Sequence, residues 1–237
     1  MAWSGMRWRR YARLNAWPYL LGMSIARYIT PEERLRLLAV LPNPRDRLLV
    51  VMGLNTGFRV SELLSLKWGQ IWRDGQPLAY VEVARRNLKG GRSAQRKNVL
   101  SRRLPINAAA AVAVREYAFA VSGSGVPDPA AWVFASRKRC PGVITRRQAH
   151  TILARAGVRA GLIGKVAPHG MRRAFGLDCY DLTKDILLVR DLLGHRSVLT
   201  TESYLKRGED QMHQVVHRLG SFGQPVPAMA EPNHVSL

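Results

Sequence analysis

The residues best equipped for chemistry lie between Ala167 and Tyr204, where His169 and Arg172 stand three apart and His195 precedes Tyr204 by nine. In APHGMRRAFG, Pro168 suits the first turn of a helix, which predicts His169 and Arg172 on one helical face. In DLLGHRSVLTTESYLKR, a short helix is expected to end near Gly194, leaving His195 in the turn and Tyr204 on the next helix. A guanidinium grips two phosphate oxygens in a planar fork, a histidine donates a hydrogen bond to a third, and a tyrosine hydroxyl can attack phosphorus. Such a set suits a phosphodiester, and its division of labour calls for no metal or other cofactor.

Further members of such a site stand upstream. LNTGFRVSELLSL places Arg59 at a glycine-containing turn, with Glu62 in the first turn of an amphipathic helix that follows at once. VEVARRNLKGG brings Lys89 to the point where an alternating segment meets two glycines, the expected end of a strand and start of a hairpin. A flexible lysine there can reach a leaving oxygen. Lys97, farther along the same hairpin, competes for that role.

Taken together, TGFRVSELLSL, LKGG, HGMRR, LLGH and ESYLKR resemble, in that order, the motifs of the tyrosine recombinase (phage integrase) family catalytic domain. The likeness runs from about Thr30 to Leu219. It implies Arg59, Lys89, His169, Arg172 and His195 as catalytic residues, Tyr204 as nucleophile and Glu62 in support. The implied reaction is site-specific cutting and rejoining of double-stranded DNA through a covalent 3′-phosphotyrosine, without metal or ATP. A homo-tetramer on DNA and a cytoplasmic, nucleoid-associated location are implied with it. Relatives carry a helical core-binding domain ahead of this one, whereas some thirty residues stand there in this chain, so that domain is expected to be missing.

The elements expected to hold these groups are mostly helical, giving an α+β domain with one small antiparallel sheet. Thr30 and Glu33 form a capping box around Pro31, so a helix should start there and reach about Leu41. The near-continuous apolar residues 46–55 predict a helix buried on most sides, and residues 60–68 the helix carrying Glu62. Three strands are expected, at 71–72, 78–86 and 102–106, with Pro105 at an edge or strand end. Asn107 caps an alanine-rich helix to about 121. Helices at 145–156, 168–180, 184–193, 198–206 and 209–219 complete a catalytic domain spanning 30–219, between a basic, tryptophan-rich extension (1–29) and a mobile tail (220–237). Met212, Val215, Val216 and Leu219 make an apolar stripe suited to packing on a neighbouring subunit or on its own domain.

Charge points to the same partner independently of any motif. A formal charge of +21 and an isoelectric point near 11.3 on 237 residues describe a strongly self-repelling surface that a polyanion relieves. Arg85, Arg86, Lys89, Arg92, Arg96, Lys97, Arg102 and Arg103 follow one another without an intervening acid. Arg86, Arg92, Arg96 and Lys97, with Arg173, are the expected DNA-backbone contacts. The two cysteines, Cys140 and Cys179, form no ligand pair and fit ordinary packing in a reducing compartment. MRWRRYARLN and the apolar run after it mimic a secretion signal, but the run is short and interrupted by Pro18 and Gly22, and it is too short to cross a membrane. Three other readings compete: a metal-dependent nuclease built on Asp178, Asp181 and Asp185, a catalytically degenerate DNA-binding accessory or regulatory protein, and a type IB topoisomerase.

Overall fold

Thr30 opens the first helix, α1 (Pro31–Ala39). Its hydroxyl accepts from Glu33 N at 3.3 Å while the Glu33 carboxylate accepts from Thr30 N at 3.0 Å, satisfying two amides that a helix start leaves without partners. The computed structural model describes residues 27–84, 101–123, 126–136 and 142–205, apart from the side chains of Ser203 and Tyr204.

Helix α2 (Pro44–Thr56) starts at the Asn43 cap and ends at Gly57, whose φ of 56° is left-handed. Leu48, Leu49, Val50 and Met52 on it are fully buried, so little of the helix meets water. Helices α4 (Ala108–Ser122) and α6 (Pro168–Thr183) cover it. After α2 the chain makes the short α3 (Val60–Leu63), not a helix over 60–68. The correction has a simple cause, a backbone partner distant in sequence. After α3 the backbone instead pairs with the 129–133 segment, Trp68 N donating to Ala131 O and Val133 N to Leu66 O.

Among the described residues, four strands form where three were expected, in two separate pairs. Strands β1 (Trp72–Arg73) and β2 (Gln76–Pro77) close through Asp74 and Gly75, whose φ values of 50° and 76° suit a two-residue hairpin. Strands β3 (Tyr80–Val83) and β4 (Arg102–Pro105) are antiparallel with Val83 opposite Arg102 and Tyr80 opposite Pro105. Pro105 therefore ends its strand, where its missing N–H does no harm. Alternation turns Val81, Val83, Arg102 and Leu104 inward.

Three helices complete the described domain: α5 (Arg146–Arg159), α7 (Ile186–Leu193) and α8 (Val198–Leu205). Lys184 ends α6 with φ 55°, and Asp185 at once caps α7 by accepting from Leu187 N and Leu188 N. Helix α8 packs on both α6 and α7. Among the described residues, no helix is long and apolar enough to cross a membrane. The expectations for residues 1–26 of the N-terminal extension, the hairpin beyond Ala84, Cys140, the 209–219 helix and the tail fall outside the described residues, while Ile29, placed in the extension, is buried in the core.

Gly57 is the tightest turn in this scaffold. A Cβ there would lie 2.3 Å from Phe175 Cδ1, at a backbone angle that side chains disfavour. Gly57→Ala is expected to destabilise the chain by about 2–4 kcal/mol, through steric overlap and left-handed strain together. Guanidinium unfolding of the purified variant measures it; a loss below about 1 kcal/mol would show that Phe175 moves aside freely.

Candidate active site

Among the described residues, the buried polar and charged side chains are Thr56, Glu62, Arg102, Arg172, His195 and Thr201. They are not scattered. Arg172, only 1% exposed, reaches from α6 to both helix ends that flank it, donating to Gly57 O at 2.5 Å and to Leu193 O at 2.5 Å. Arg102 reaches from β4 to the same two ends, one residue earlier on each, donating to Thr56 O at 3.0 Å and to Leu192 O. A helix C-terminus presents carbonyls without helical partners and a partial negative charge, so each guanidinium finds acceptors there that its burial demands.

Glu62 joins the second half of the network. Its carboxylate, fully buried, accepts from Arg59 Nη1 at 2.8 Å and from Arg102 Nη1 at 3.2 Å. The same group accepts from Arg59 N at 2.8 Å, fixing the backbone that starts α3. Arg59 itself is partly open to solvent, with its side chain 27% exposed. Three guanidiniums thus converge on one buried carboxylate and two sets of backbone carbonyls. Their surplus positive charge suits an anion at the open side.

The two histidines feel that charge. His195 is buried in the turn after α7, and its Nδ1 lies 3.0 Å from Thr201 Oγ1 on α8. Desolvation first, then Arg172, Arg59 and Arg102, push its imidazole down to about 3, so it is neutral at physiological pH. His169 stands more openly at the start of α6. It too is held below the ordinary imidazole range, by desolvation and then by Arg172, Arg59 and His150. Arg173, next to Arg172, is half-buried, and burial lowers its pKa.

Tyr204 lies in the last turn of α8, three residues after Thr201, and its side chain is outside the described part. Also outside it are Lys89 and its rival Lys97, together with Arg86, Arg92 and Arg96. The structure therefore brings Arg59, Glu62, His169, Arg172, His195 and the helix of Tyr204 to one place, and leaves the hairpin residues undescribed.

Sequence reading missed Arg102, which it counted as one more hairpin cation, and also Thr56 and Thr201. A signal for Arg102 existed: strand alternation places it on the same side as Leu104, facing the core. The carboxylates of the nuclease alternative each serve elsewhere. Asp178 takes both Nη atoms of Arg34 at 2.6 and 2.9 Å, Asp181 accepts from Lys184 Nζ, and Asp185 caps α7. Among the described residues, no cluster of three or more such ligands could hold a metal.

His195 yields a test that involves no substrate. Its folded pKa is depressed, so the unfolded chain binds the extra proton below about pH 6.5 and stability falls as pH drops toward the folded value near 3. At pH 5 this destabilisation should reach up to about 2 kcal/mol relative to pH 7. Urea unfolding at the two pH values measures it, and His195→Gln should reduce the difference. An imidazole carbon resonance of His195 that titrates near pH 6.5 would contradict the assignment.

The comparisons with known proteins concern this same region. The phage integrase family model matches residues 27–210, most of the chain. Tyrosine recombinase XerA of Thermococcus kodakarensis is 31% identical over 186 residues, covering 77% of this chain but 59% of that protein, so the chain spans less than two thirds of that relative. The crystal structure of XerA recombinase shares the fold with a TM-score of 0.65 at 22% identity, over 83% of this chain and 65% of that one. XerH site-specific recombinase bound to its difH substrate gives 0.57 at 19% identity, over 80% and 53%. With the family model spanning the whole described network and the fold shared with recombinases, the chain belongs to the phage integrase family, as a tyrosine recombinase catalytic domain.

Proposed function

We propose that the chain is a site-specific DNA recombinase that cuts and rejoins strands through Tyr204, without metal or ATP. One observation carries this reading: three guanidiniums gather around two neutral histidines and a single buried carboxylate, beside the helix that bears the tyrosine. A phosphodiester supplies the missing negative charge, and a pentavalent transition state carries more of it than the ground state does, so the arrangement favours the transition state.

In this reading Tyr204 Oη forms a bond to phosphorus as the bond from phosphorus to the 5′-oxygen breaks, leaving a 3′-phosphotyrosine and a free 5′-hydroxyl. A tyrosine titrates near 10, so its proton must leave during attack. His169, held neutral, has a ring nitrogen able to take it. Arg59, partly open to solvent, meets the equatorial oxygens, and Arg172, buried with both Nη atoms on Gly57 O and Leu193 O, adds its positive charge from behind. His195 donates from Nε2, which requires Nδ1 to accept from the Thr201 hydroxyl, the arrangement compatible with their 3.0 Å separation. Lys89, or Lys97 in its place, gives a proton to the departing oxygen. Attack by the 5′-hydroxyl of a second strand reverses the bond changes, which conserves bond energy.

Double-stranded DNA is the proposed partner, gripped also by Arg86, Arg92, Arg96, Lys97 and Arg173, with the protein acting as a tetramer on DNA in the nucleoid of the cytoplasm. Support comes from the charge of +21 and from family neighbours solved with DNA, among them XerH with difH.

The chemistry is tested with nicked suicide duplexes tiled across the DNA that flanks the protein's own coding sequence. In EDTA they should yield a covalent complex that survives SDS and is absent with Tyr204→Phe. A complex persisting in that variant would assign the nucleophile wrongly, and cleavage abolished by EDTA would favour metal chemistry.

Binding gives a separate expectation. Affinity should fall with salt by about 0.9 log units per tenfold salt for each phosphate neutralised. Arg92, Arg96 and Lys97 replaced together by alanine should flatten that slope by roughly two to three units. An unchanged slope in fluorescence anisotropy would exclude these residues from the backbone contact.

A further inference from the structure

The reaction just described gives the buried cation Arg102 no contact with the substrate. Its Nη atoms are taken up by Glu62, Thr56 O and Leu192 O, so its donors hold parts of the protein and are not turned to a phosphate. Yet every acceptor it uses belongs to a segment that carries a proposed catalytic group. Nη1 bonds Glu62, which orients Arg59; Nη2 bonds Thr56 O, three residues before Arg59, and Leu192 O, three before His195. The guanidinium also stacks on Phe58, the residue adjacent to Arg59, 4.6 Å from the ring centre. Against Gly194, adjacent to His195, the fit is close enough that an added Cβ would lie 3.2 Å from Arg102 Cδ.

We propose that Arg102 is a positioning residue for strand cleavage, aiming Arg59 through Glu62 and holding the α7 terminus that presents His195. The inference rests on the recombinase reading for its chemistry but not for its geometry. Two properties favour arginine over any other cation at this position. Its planar fork meets three acceptors in different directions at once, which a lysine ammonium on a shorter reach cannot do with the same fixity. Its charge also persists: burial, then Arg172, lower the pKa to about 9, which still leaves it protonated at neutral pH. A charged strut is needed because Glu62 is fully buried, and a carboxylate in that setting requires cationic partners on both oxygens.

The experiment compares the unaltered chain, Arg102→Lys, Glu62→Gln and the double variant, using the suicide duplex that gives the unaltered chain most covalent complex. Arg102→Lys should lower the rate at saturating duplex at least tenfold while the half-saturating concentration stays within twofold. A generally weakened fold would not split these two quantities, and circular dichroism melting records how much of the fold each variant keeps. In the Glu62→Gln background the further loss from Arg102→Lys should shrink to less than threefold. A rate within twofold of the unaltered chain, or losses that multiply in the double variant, would overturn the proposal.

A second measurement needs no cleavage. The side-chain Nη1–H resonance of Arg59, which donates to Glu62, should be exchange-protected in the free protein and should lose that protection in Arg102→Lys, while backbone amides of α4 and α5 stay unshifted. Unchanged Arg59 protection would refute the link. If the unaltered chain forms no covalent complex on any duplex, the recombinase reading fails, and this resonance alone decides whether Arg102 positions Arg59.

Discussion

Two buried guanidiniums bridging the same two helix ends are the constraint around which this domain is arranged. Arg172 and Arg102 come from different elements, α6 and β4, and both donate to the C-termini of α2 and α7. Taking an arginine out of water is costly unless its donors are met, and helix termini present fixed acceptors in a favourable field. The consequence is mutual. The arginines need those termini side by side, and each terminus turns through a left-handed glycine packed closely against a neighbour, Gly57 against Phe175 and Gly194 against Arg102 itself. Arg59 and His195, the residues just beyond the two turns, are thereby brought to a common place.

This explains how a site drawn from residues more than a hundred positions apart can be rigid. Helix α2, buried nearly all round, is the anchor, with α4 and α6 packed against it and α8 laid across α6 and α7. The depressed proton affinity of both histidines follows from the same design, since burial and the guanidiniums act in one direction on each imidazole. Neutral histidines beside strong cations serve an anion well: one can donate and the other accept, with no additional charge in the site.

Much of this was legible in the sequence, for reasons that differ by element. The capping box at Thr30, the continuous apolar run of α2, Pro168 at the start of α6 and Gly194 at the end of α7 are local signals, and each element stands where its signal put it. The 60–68 segment misled because its apolar residues fit a helix as well as a short helix followed by an extended stretch in which buried Leu64, Leu66 and Trp68 alternate with partly exposed Ser65 and Lys67. Partners at 129–133, distant in sequence, decided for the latter. The hairpin at Asp74-Gly75 carried its own turn signal, and the expectation of one sheet overlooked it. Arg102 was hidden differently. Amid seven other basic residues it looked like surface charge, and its acceptors are mainly backbone carbonyls, which no residue type announces.

Those carbonyls have an evolutionary implication. An ion pair between side chains can be broken by changing either partner, but Thr56, Leu192 and Leu193 offer their main-chain oxygens whatever side chain each position bears. Half of the network is thus invisible to ordinary substitution. Mutational fragility is concentrated in the donors, Arg102 and Arg172, and in the glycines that shape the two turns. Drift elsewhere around the helix ends can repack the surface or shift its specificity while the frame that aims the reactive groups persists.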